Sequence, residues 1–141
     1  SINLYPSLCF FERTEVSAGR GTEMQFQIFG SPNLPKEQFS YKFTPQPNEG
    51  AQNPKHNGKL CFGKKLSEVK KLSYINLDWL IETYNASTNK SSFFKNLERL
   101  SGTKKMQEQI ESGMTTTEIR KTWEKDIKRF KKIRSKYLIY N

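Results

Sequence analysis

The sequence predicts an α+β domain, in which a small and mostly antiparallel sheet from the N-terminal half precedes three to four helices. Two observations support this prediction. Short aromatic-rich or alternating segments separated by Gly, Pro and Asn occupy the first half, and helical periodicity appears only after Leu72. Strands that come first and helices that follow favour a sheet with the helices segregated to one face.

Four short segments are predicted strands. The second has Met24, Phe26 and Ile28 on one face with glutamines between them, which is typical of a half-buried strand. A Gly-Arg-Gly-Thr turn at 19–22 is expected to join the first two strands. The predicted strands are 7–16 (SLCFFERTEV), 24–30 (MQFQIFG), 40–47 (SYKFTPQP, ending at its prolines) and 60–63 (LCFG).

The helices are predicted at 75–87, 91–102, 103–113 and 115–137. The last is the clearest, because Thr115 and Glu118 fit a capping box and apolar residues follow at steps of three and four. Its apolar stripe contains Ile119, Trp123, Ile127, Phe130, Ile133 and Tyr137. The apolar and aromatic residues 137–140 (YLIY) are predicted to form a short final strand.

At 141 residues, the chain is predicted to form one domain, 1–141. Its net charge of +10 favours anionic partners, and residues 118–136 carry nine Lys or Arg against three acids, a net charge of +6. That basic helix fits either a solvated surface or a contact with an anionic polymer. Nucleic acid is not the expected partner, because neither an RNP-like strand nor a zinc-finger spacing is present.

Several common chemistries are not expected. The sequence has no GxSxG, P-loop or HExxH motif, and its single histidine, His56, lies in a polar loop. Cys9 and Cys61 lack CxxC spacing, so we expect no metal site and no cofactor; the two thiols fit either a disulfide or separate buried positions. No apolar run approaches the length of a membrane span.

Two charged residues are candidates for a site. Arg20 stands between Gly19 and Gly21, which indicates either a tight turn that aims one guanidinium or an ordinary loop with a solvated arginine. Glu12 ends an apolar segment, where it fits either acid–base chemistry or an ion pair with Arg20 across the hairpin. On an extended strand Glu15 would point the other way, so the two glutamates are not an expected pair.

Three segments carry a family resemblance: YPSLCFFERTEVSAGRGTEMQFQIFGSP, GAQNPKHNGKLCFG and FFKNLERLSG through KYLIY. In this order they resemble the C-terminal part of the NamZ-like exo-β-N-acetylmuramidases, formerly a domain of unknown function. The family's Phe-Glu-Gly-Thr turn corresponds to residues 11–14, with Arg13 in place of glycine. Its Glu-Gly-Arg-Gly-Thr stretch corresponds to 18–22, with Ala18 in place of the acid. Its Gly-Lys-x-Cys-x-Gly segment corresponds to 58–63.

The resemblance implies a peptidoglycan-recycling glycoside hydrolase of the bacterial cell envelope, which releases N-acetylmuramic acid from the non-reducing end of glycans. In that family a Rossmann-like N-terminal half carries the catalytic glutamate, and the active site lies between the halves. The chain would then be the cleft-completing half and inactive alone, with muramic sugars and the other half as its partners. The alternative is a non-catalytic module that binds glycan or an anionic polymer.

The resemblance also implies site residues. Arg20, held by Gly19, Gly21 and Thr22 and accompanied by Glu12, is expected to bind the sugar. N-acetylmuramic acid carries a lactyl carboxylate, and a guanidinium can bind a carboxylate through two parallel hydrogen bonds. No catalytic residue is assigned within the chain, and Glu12 is the one candidate.

Overall fold

The computed structural model describes residues 2–139 and confirms the α+β class. Its sheet has three antiparallel strands, of which the third in the chain lies between the other two, with Gly30 of the first strand opposite Gly63 of the third. The strands are β1 (Ile28–Ser31), β2 (Tyr41–Phe43) and β3 (Cys61–Lys65). The central strand therefore comes last in the chain, after the long loop 44–60.

Within residues 2–139 there are five α-helices and three short 3₁₀ turns. The helices are α1 (Tyr5–Leu8), α2 (Asp78–Ala86), α3 (Glu98–Ser101), α4 (Lys105–Glu111) and α5 (Thr116–Arg134). The 3₁₀ turns are Cys9–Arg13, Lys90–Ser92 and Ser135–Tyr137. Each of the four predicted helices is present, although the second is reduced to the single turn of α3, and α1 was not expected.

The predicted strand at 7–16 is wrong. Residues 5–13 form α1 and the following 3₁₀ turn, and beyond them only Thr14 and Ser17 form isolated bridges, to Phe94 and Gly30. Pro6 lies in the first turn of α1, where a missing N–H breaks no helical hydrogen bond. A short run of buried apolar residues does not distinguish strand from helix, because both have every side chain covered.

The predicted strand at 24–30 is correct only from Ile28 onward. Residues 24–27 form a turn, in which Phe26 has a left-handed φ of 54° and donates its N–H to the carbonyl of Ala18 at 2.8 Å. The Phe26 ring packs edge-on against Tyr5, with ring centroids 4.7 Å apart. This tertiary contact and the backbone bond across the turn override the alternating pattern.

The predicted final strand is also wrong over the described residues. Tyr137 ends a 3₁₀ turn, and Leu138 and Ile139 belong to no strand; Tyr140 lies outside the described residues. A strand needs a neighbouring sheet edge, whereas residues 124–139 are exposed throughout and contribute nothing to the described sheet.

The core lies between the sheet and the helices and is built mainly from leucines and phenylalanines. Phe11 stacks on Phe29 with centroids 4.9 Å apart, and Phe93 packs edge-on against Tyr84 of α2. Ile119 brings the first half of α5 into the same core. Aromatic burial therefore fixes the 3₁₀ turn that contains Phe11 directly against the sheet.

Helix α5 begins as the sequence predicts and then leaves the body of the protein. Thr115 and Glu118 form the reciprocal capping box. Ile119 is buried, but the same apolar stripe continues with Ile127, Phe130 and Ile133 exposed to solvent. Within residues 2–139, no helix has the length and apolarity needed to cross a membrane.

This division of α5 gives a first prediction. Ile119 is 0 % exposed, so Ile119→Ala should lower the free energy of unfolding by roughly 2–5 kcal/mol through lost burial and a residual cavity. Ile133 is 50 % exposed on the same stripe, and Ile133→Ala should change it by no more than about 0.5 kcal/mol. Urea denaturation of both variants measures the two losses in the free energy of unfolding. Equal losses would contradict the exposure of the apolar stripe in the second half of α5.

Candidate functional site

The Gly-Arg-Gly-Thr turn is a tight turn in which both glycines are required. Gly19 and Gly21 have φ values of 78° and 80°, in the left-handed region that side chains rarely adopt. A Cβ at Gly19 would lie 2.6 Å from Cγ1 of Ile28, and one at Gly21 would lie 2.5 Å from Cβ of Pro54. The sequence therefore places glycine on both sides of Arg20 because the backbone passes against packed neighbours at both points.

Thr22 holds the shape of this turn. Its hydroxyl donates to the carbonyl of Gly19 at 2.7 Å and accepts from the N–H of Met24 at 3.0 Å. On the other side, the hydroxyl of Ser17 accepts from the N–H of Gly19 at 3.2 Å. Thr22 thus bonds within the turn itself, and its predicted contact with substrate stays a prediction.

The Arg20 guanidinium is fixed at two points. Nη1 donates to Oε1 of Glu12 at 3.1 Å, and Nη2 donates to the carbonyl oxygen of Gly50 at 3.1 Å. The ion pair between Glu12 and Arg20 confirms the interpretation of Glu12 as a partner across the turn. These bonds use two of the five N–H groups of arginine, and the side chain remains 48 % exposed.

Arg20 and Glu12 lie at a cleft of about 200 Å³. Two residues just before the glycine turn and the loop that follows β2 form the other walls. Its lining residues are Glu12, Ser17, Ala18, Arg20, Asn53, Pro54 and Lys55. Two cations and one carboxylate therefore share a concave surface, which suits an anionic or zwitterionic small ligand.

Lys55 is the member of the cleft that the sequence analysis missed. Its Nζ donates to three backbone carbonyls, those of Phe11 at 3.0 Å, Thr14 at 2.6 Å and Val16 at 2.9 Å. An ammonium group has three N–H donors, so these carbonyls account for all of them. The only sequence signal was the position of Lys55 beside His56 in a loop rich in Pro, Asn and Gly, where a charged residue is ordinarily solvated.

His56 extends the same contact along the backbone. It has a left-handed φ of 59°, and its Nε2 lies 2.6 Å from the carbonyl oxygen of Glu15, which requires the proton on Nε2. Burial lowers the pKa of His56, which keeps the ring neutral at pH 7. The Glu15 carboxylate accepts from Ser31 at 2.8 Å and Asn33 at 3.2 Å, whereas that of Glu12 binds Arg20.

The cysteines are separate thiols. Cys61 is buried and Cys9 is half-buried, and neither forms a disulfide. Burial raises the pKa of Cys61 to about 12, and burial with the nearby Glu12 charge raises that of Cys9, so neither is a thiolate at pH 7. Over the described part of the chain, no three His, Cys, Asp or Glu side chains converge where they could hold a metal ion.

The fold and the cleft define a class of protein: an α+β domain whose cleft is lined by a fixed arginine, a carboxylate and a half-buried lysine. Residues 3–140 match the family described as "Exo-beta-N-acetylmuramidase NamZ, C-terminal". The chain therefore belongs to this family, as the resemblance in the sequence indicates.

Two relatives support this assignment. The chain is 27 % identical to the peptidoglycan beta-N-acetylmuramidase NamZ of Bacillus subtilis strain 168, over 97 % of the chain and 37 % of that protein. It is 42 % identical to a DUF1343 family protein from Bacteroides fragilis whose crystal structure is known, with a TM-score of 0.90 over 99 % of the chain and 40 % of that protein. The chain thus spans about two-fifths of each relative.

The glycine turn generates a second prediction. Gly21→Ala should destabilise the fold more than Gly58→Ala, although both positions have a left-handed φ. A Cβ added at Gly58 meets no neighbouring atom, so Gly58→Ala should cost only the roughly 1–2 kcal/mol of placing a side chain in the left-handed region. At 21 the added Cβ also collides with Pro54, which adds about 1–3 kcal/mol. Thermal or urea unfolding measures both, and equal values would show that the turn does not need the close approach to Pro54.

Lys55 generates a third prediction, on pH. Burial, with a smaller contribution from Lys95, lowers the pKa of Lys55 from 10.5 to about 8. Between pH 8 and 10.5 the unfolded chain therefore holds a proton that the folded chain has lost. The contribution of this group to the free energy of unfolding should rise with pH across that window.

Two measurements check the predicted pH dependence of Lys55. The Nζ-linked NMR signal of Lys55 should titrate with a midpoint near 8. The difference in the free energy of unfolding between the wild type and Lys55→Met should shift in favour of the wild type from about pH 7 to about pH 9.5. A midpoint at the ordinary lysine value would contradict the prediction.

Proposed function

We propose that the chain supplies the sugar-acid recognition site of an exo-β-N-acetylmuramidase, an enzyme that hydrolyses N-acetylmuramic acid from the non-reducing end of peptidoglycan fragments. Membership of the NamZ family supports the reaction class, and the named activity of the Bacillus subtilis relative supports the substrate class. The observation that carries the proposal is the fixed, half-exposed guanidinium of Arg20 at the cleft.

The chemistry of the ligand fits this guanidinium. N-acetylmuramic acid differs from N-acetylglucosamine by a lactyl ether with a carboxylate, so an enzyme selective for it needs a cation at a defined position. Arg20 is held by Glu12 and Gly50, which reduces the side-chain entropy that binding would otherwise cost. Its remaining N–H groups can donate to a carboxylate as charge-assisted hydrogen bonds.

Lys55 adds a second positive charge on the same surface. Its three N–H donors are occupied by backbone carbonyls, so none is left for a hydrogen bond to a ligand. Glu12 orients Arg20, and its place in catalysis stays a prediction. We assign the catalytic acid to a further part of a longer polypeptide, because the relatives are more than twice as long as the matched region. A peptidoglycan substrate favours action in the bacterial cell envelope.

A fourth prediction tests the role of Arg20. The chain should bind N-acetylmuramic acid more tightly than N-acetylglucosamine, and Arg20→Ala should reduce that preference roughly tenfold or more, because hydrogen bonds between charged groups are lost. NMR titration of the amide signals of residues 19–22 with each sugar measures the two affinities.

The control is Arg129→Ala, which makes the same charge change on the exposed half of α5, away from the cleft lining. It should leave the preference unchanged. If Arg20→Ala keeps the full preference for the muramic sugar, the proposed recognition site is wrong. If the wild type has no preference, the proposed substrate class is wrong for this cleft.

A further inference from the structure

The carbonyls of Thr14, Glu15 and Val16 take no part in a helix or a named strand, whereas the carbonyl of Phe11 already accepts from the N–H and the hydroxyl of Thr14. Segment 11–16 ends a 3₁₀ turn and leads into the glycine turn, with an isolated bridge from Thr14 to Phe94 as part of its pairing. Buried carbonyls without a partner are costly, so such a segment requires donors from elsewhere. Loop 45–58 provides them from side chains.

Lys55 and His56 are those donors. The Lys55 ammonium bonds the carbonyls of Phe11, Thr14 and Val16, and the His56 ring bonds the carbonyl of Glu15 between them. Four carbonyls of a six-residue segment are therefore held by two consecutive side chains. Two of these carbonyls, those of Phe11 and Thr14, come before and after Glu12 in the sequence. The bonds from Lys55 therefore hold the backbone on both sides of Glu12.

Loop 45–58 also contacts the turn that carries Arg20. The N–H of Gln46 donates to the carbonyl of Gly21 at 2.8 Å, and the Arg20 guanidinium itself bonds the carbonyl of Gly50. The loop is closed on itself by a bond from the N–H of Gly58 to the carbonyl of Pro45 at 2.9 Å. One closed loop thus holds both partners of the Arg20–Glu12 ion pair.

We propose that Lys55 is a positioning residue for the sugar-acid site: by binding the carbonyls on both sides of Glu12, it sets the Glu12 carboxylate and, through it, the direction of the Arg20 guanidinium. The inference rests on the proposed function for its effect on ligand selectivity, but the effect on Arg20 is a property of the ligand-free protein. Lys55 acts through Arg20 and does not itself contact the ligand.

The charges that face Lys55 are consistent with this role. Glu12 and Glu15 favour its ammonium form, whereas Arg13 and Lys95 oppose it. An arginine would keep the charge, but its planar fork does not match three carbonyls that converge on one point. Lys55→Met removes the charge and all three hydrogen bonds while keeping an unbranched stem of similar length.

The experiment compares the wild type, Lys55→Met, Lys55→Arg and Lys36→Met, in which a lysine on the exposed surface is changed in the same way. In the ligand-free proteins, NMR signals of the Arg20 guanidinium report whether its side chain is held. We expect restricted signals in the wild type and Lys36→Met, and averaged, solvent-like signals in Lys55→Met. Unchanged Arg20 signals in folded Lys55→Met would overturn the proposal.

A double-mutant cycle with Arg20→Ala tests the route of action. Lys55→Met should lose the preference for N-acetylmuramic acid over N-acetylglucosamine by about the same factor as Arg20→Ala, and the double variant should lose no more than Arg20→Ala alone. Losses that multiply would overturn the proposal, because Lys55 would then act on the ligand independently of Arg20.

Two further readouts keep the outcomes distinct. If Lys55→Met does not fold, Lys55→Arg decides: held Arg20 signals and full sugar preference in that variant would overturn the proposal, and averaged signals would support it. If the wild type shows no sugar preference, the proposed function fails, and the Arg20 signals of the ligand-free variants still decide the role of Lys55.

Discussion

The geometry of the cleft depends on the hydrogen bonds of one half-buried ammonium group, that of Lys55. Lys55 lies against segment 11–16 and uses its three N–H groups on three carbonyl oxygens of that segment. The number of donors matches the number of acceptors, which is the condition under which a buried charge is tolerated. Residues 14–16 lie outside the helices and named strands, so at Thr14 and Val16 the bonds from Lys55 replace those that secondary structure would otherwise supply.

The geometry of the candidate site follows from that contact and from the two glycines. Arg20 lies on a turn whose backbone passes within contact distance of Ile28 on one side and Pro54 on the other. Glu12 comes from the 3₁₀ turn and Gly50 from the loop after β2. Three segments that are distant in sequence therefore hold one guanidinium, and each is fixed by backbone contacts rather than by the ion pair alone. An exposed ion pair by itself contributes little to stability.

The family match and the cleft support the proposed function in different ways. The match over residues 3–140 places the chain among the NamZ C-terminal domains, which makes a muramic sugar the natural ligand class to consider. The cleft contains a positioned guanidinium that keeps N–H groups free of the bonds to Glu12 and Gly50, which is the feature on which the proposed recognition of a sugar acid rests. The chain spans only two-fifths of each relative, so the activity in the name of the Bacillus subtilis protein is not assigned to residues of this chain.

The sequence by itself determined the elements whose signals are local. The α+β class, helix α5 with its Thr115 and Glu118 cap, and the glycine turn around Arg20 all depend on neighbours within a few residues, where periodicity and capping patterns are informative. The pairing of Arg20 with Glu12 was also within reach, because the two lie on either side of one turn.

The tertiary structure alone decided the rest. The aromatic run at 7–13 forms a helix and a 3₁₀ turn rather than a strand, and the sequence did not predict this because a short run of mostly apolar residues does not distinguish the two. Lys55 became the central residue of the cleft only because loop 45–58 folds back over residues about forty positions earlier. The local sequence does not predict a long-range hydrogen bond of this kind, because its donor and acceptors come together only in the packed fold.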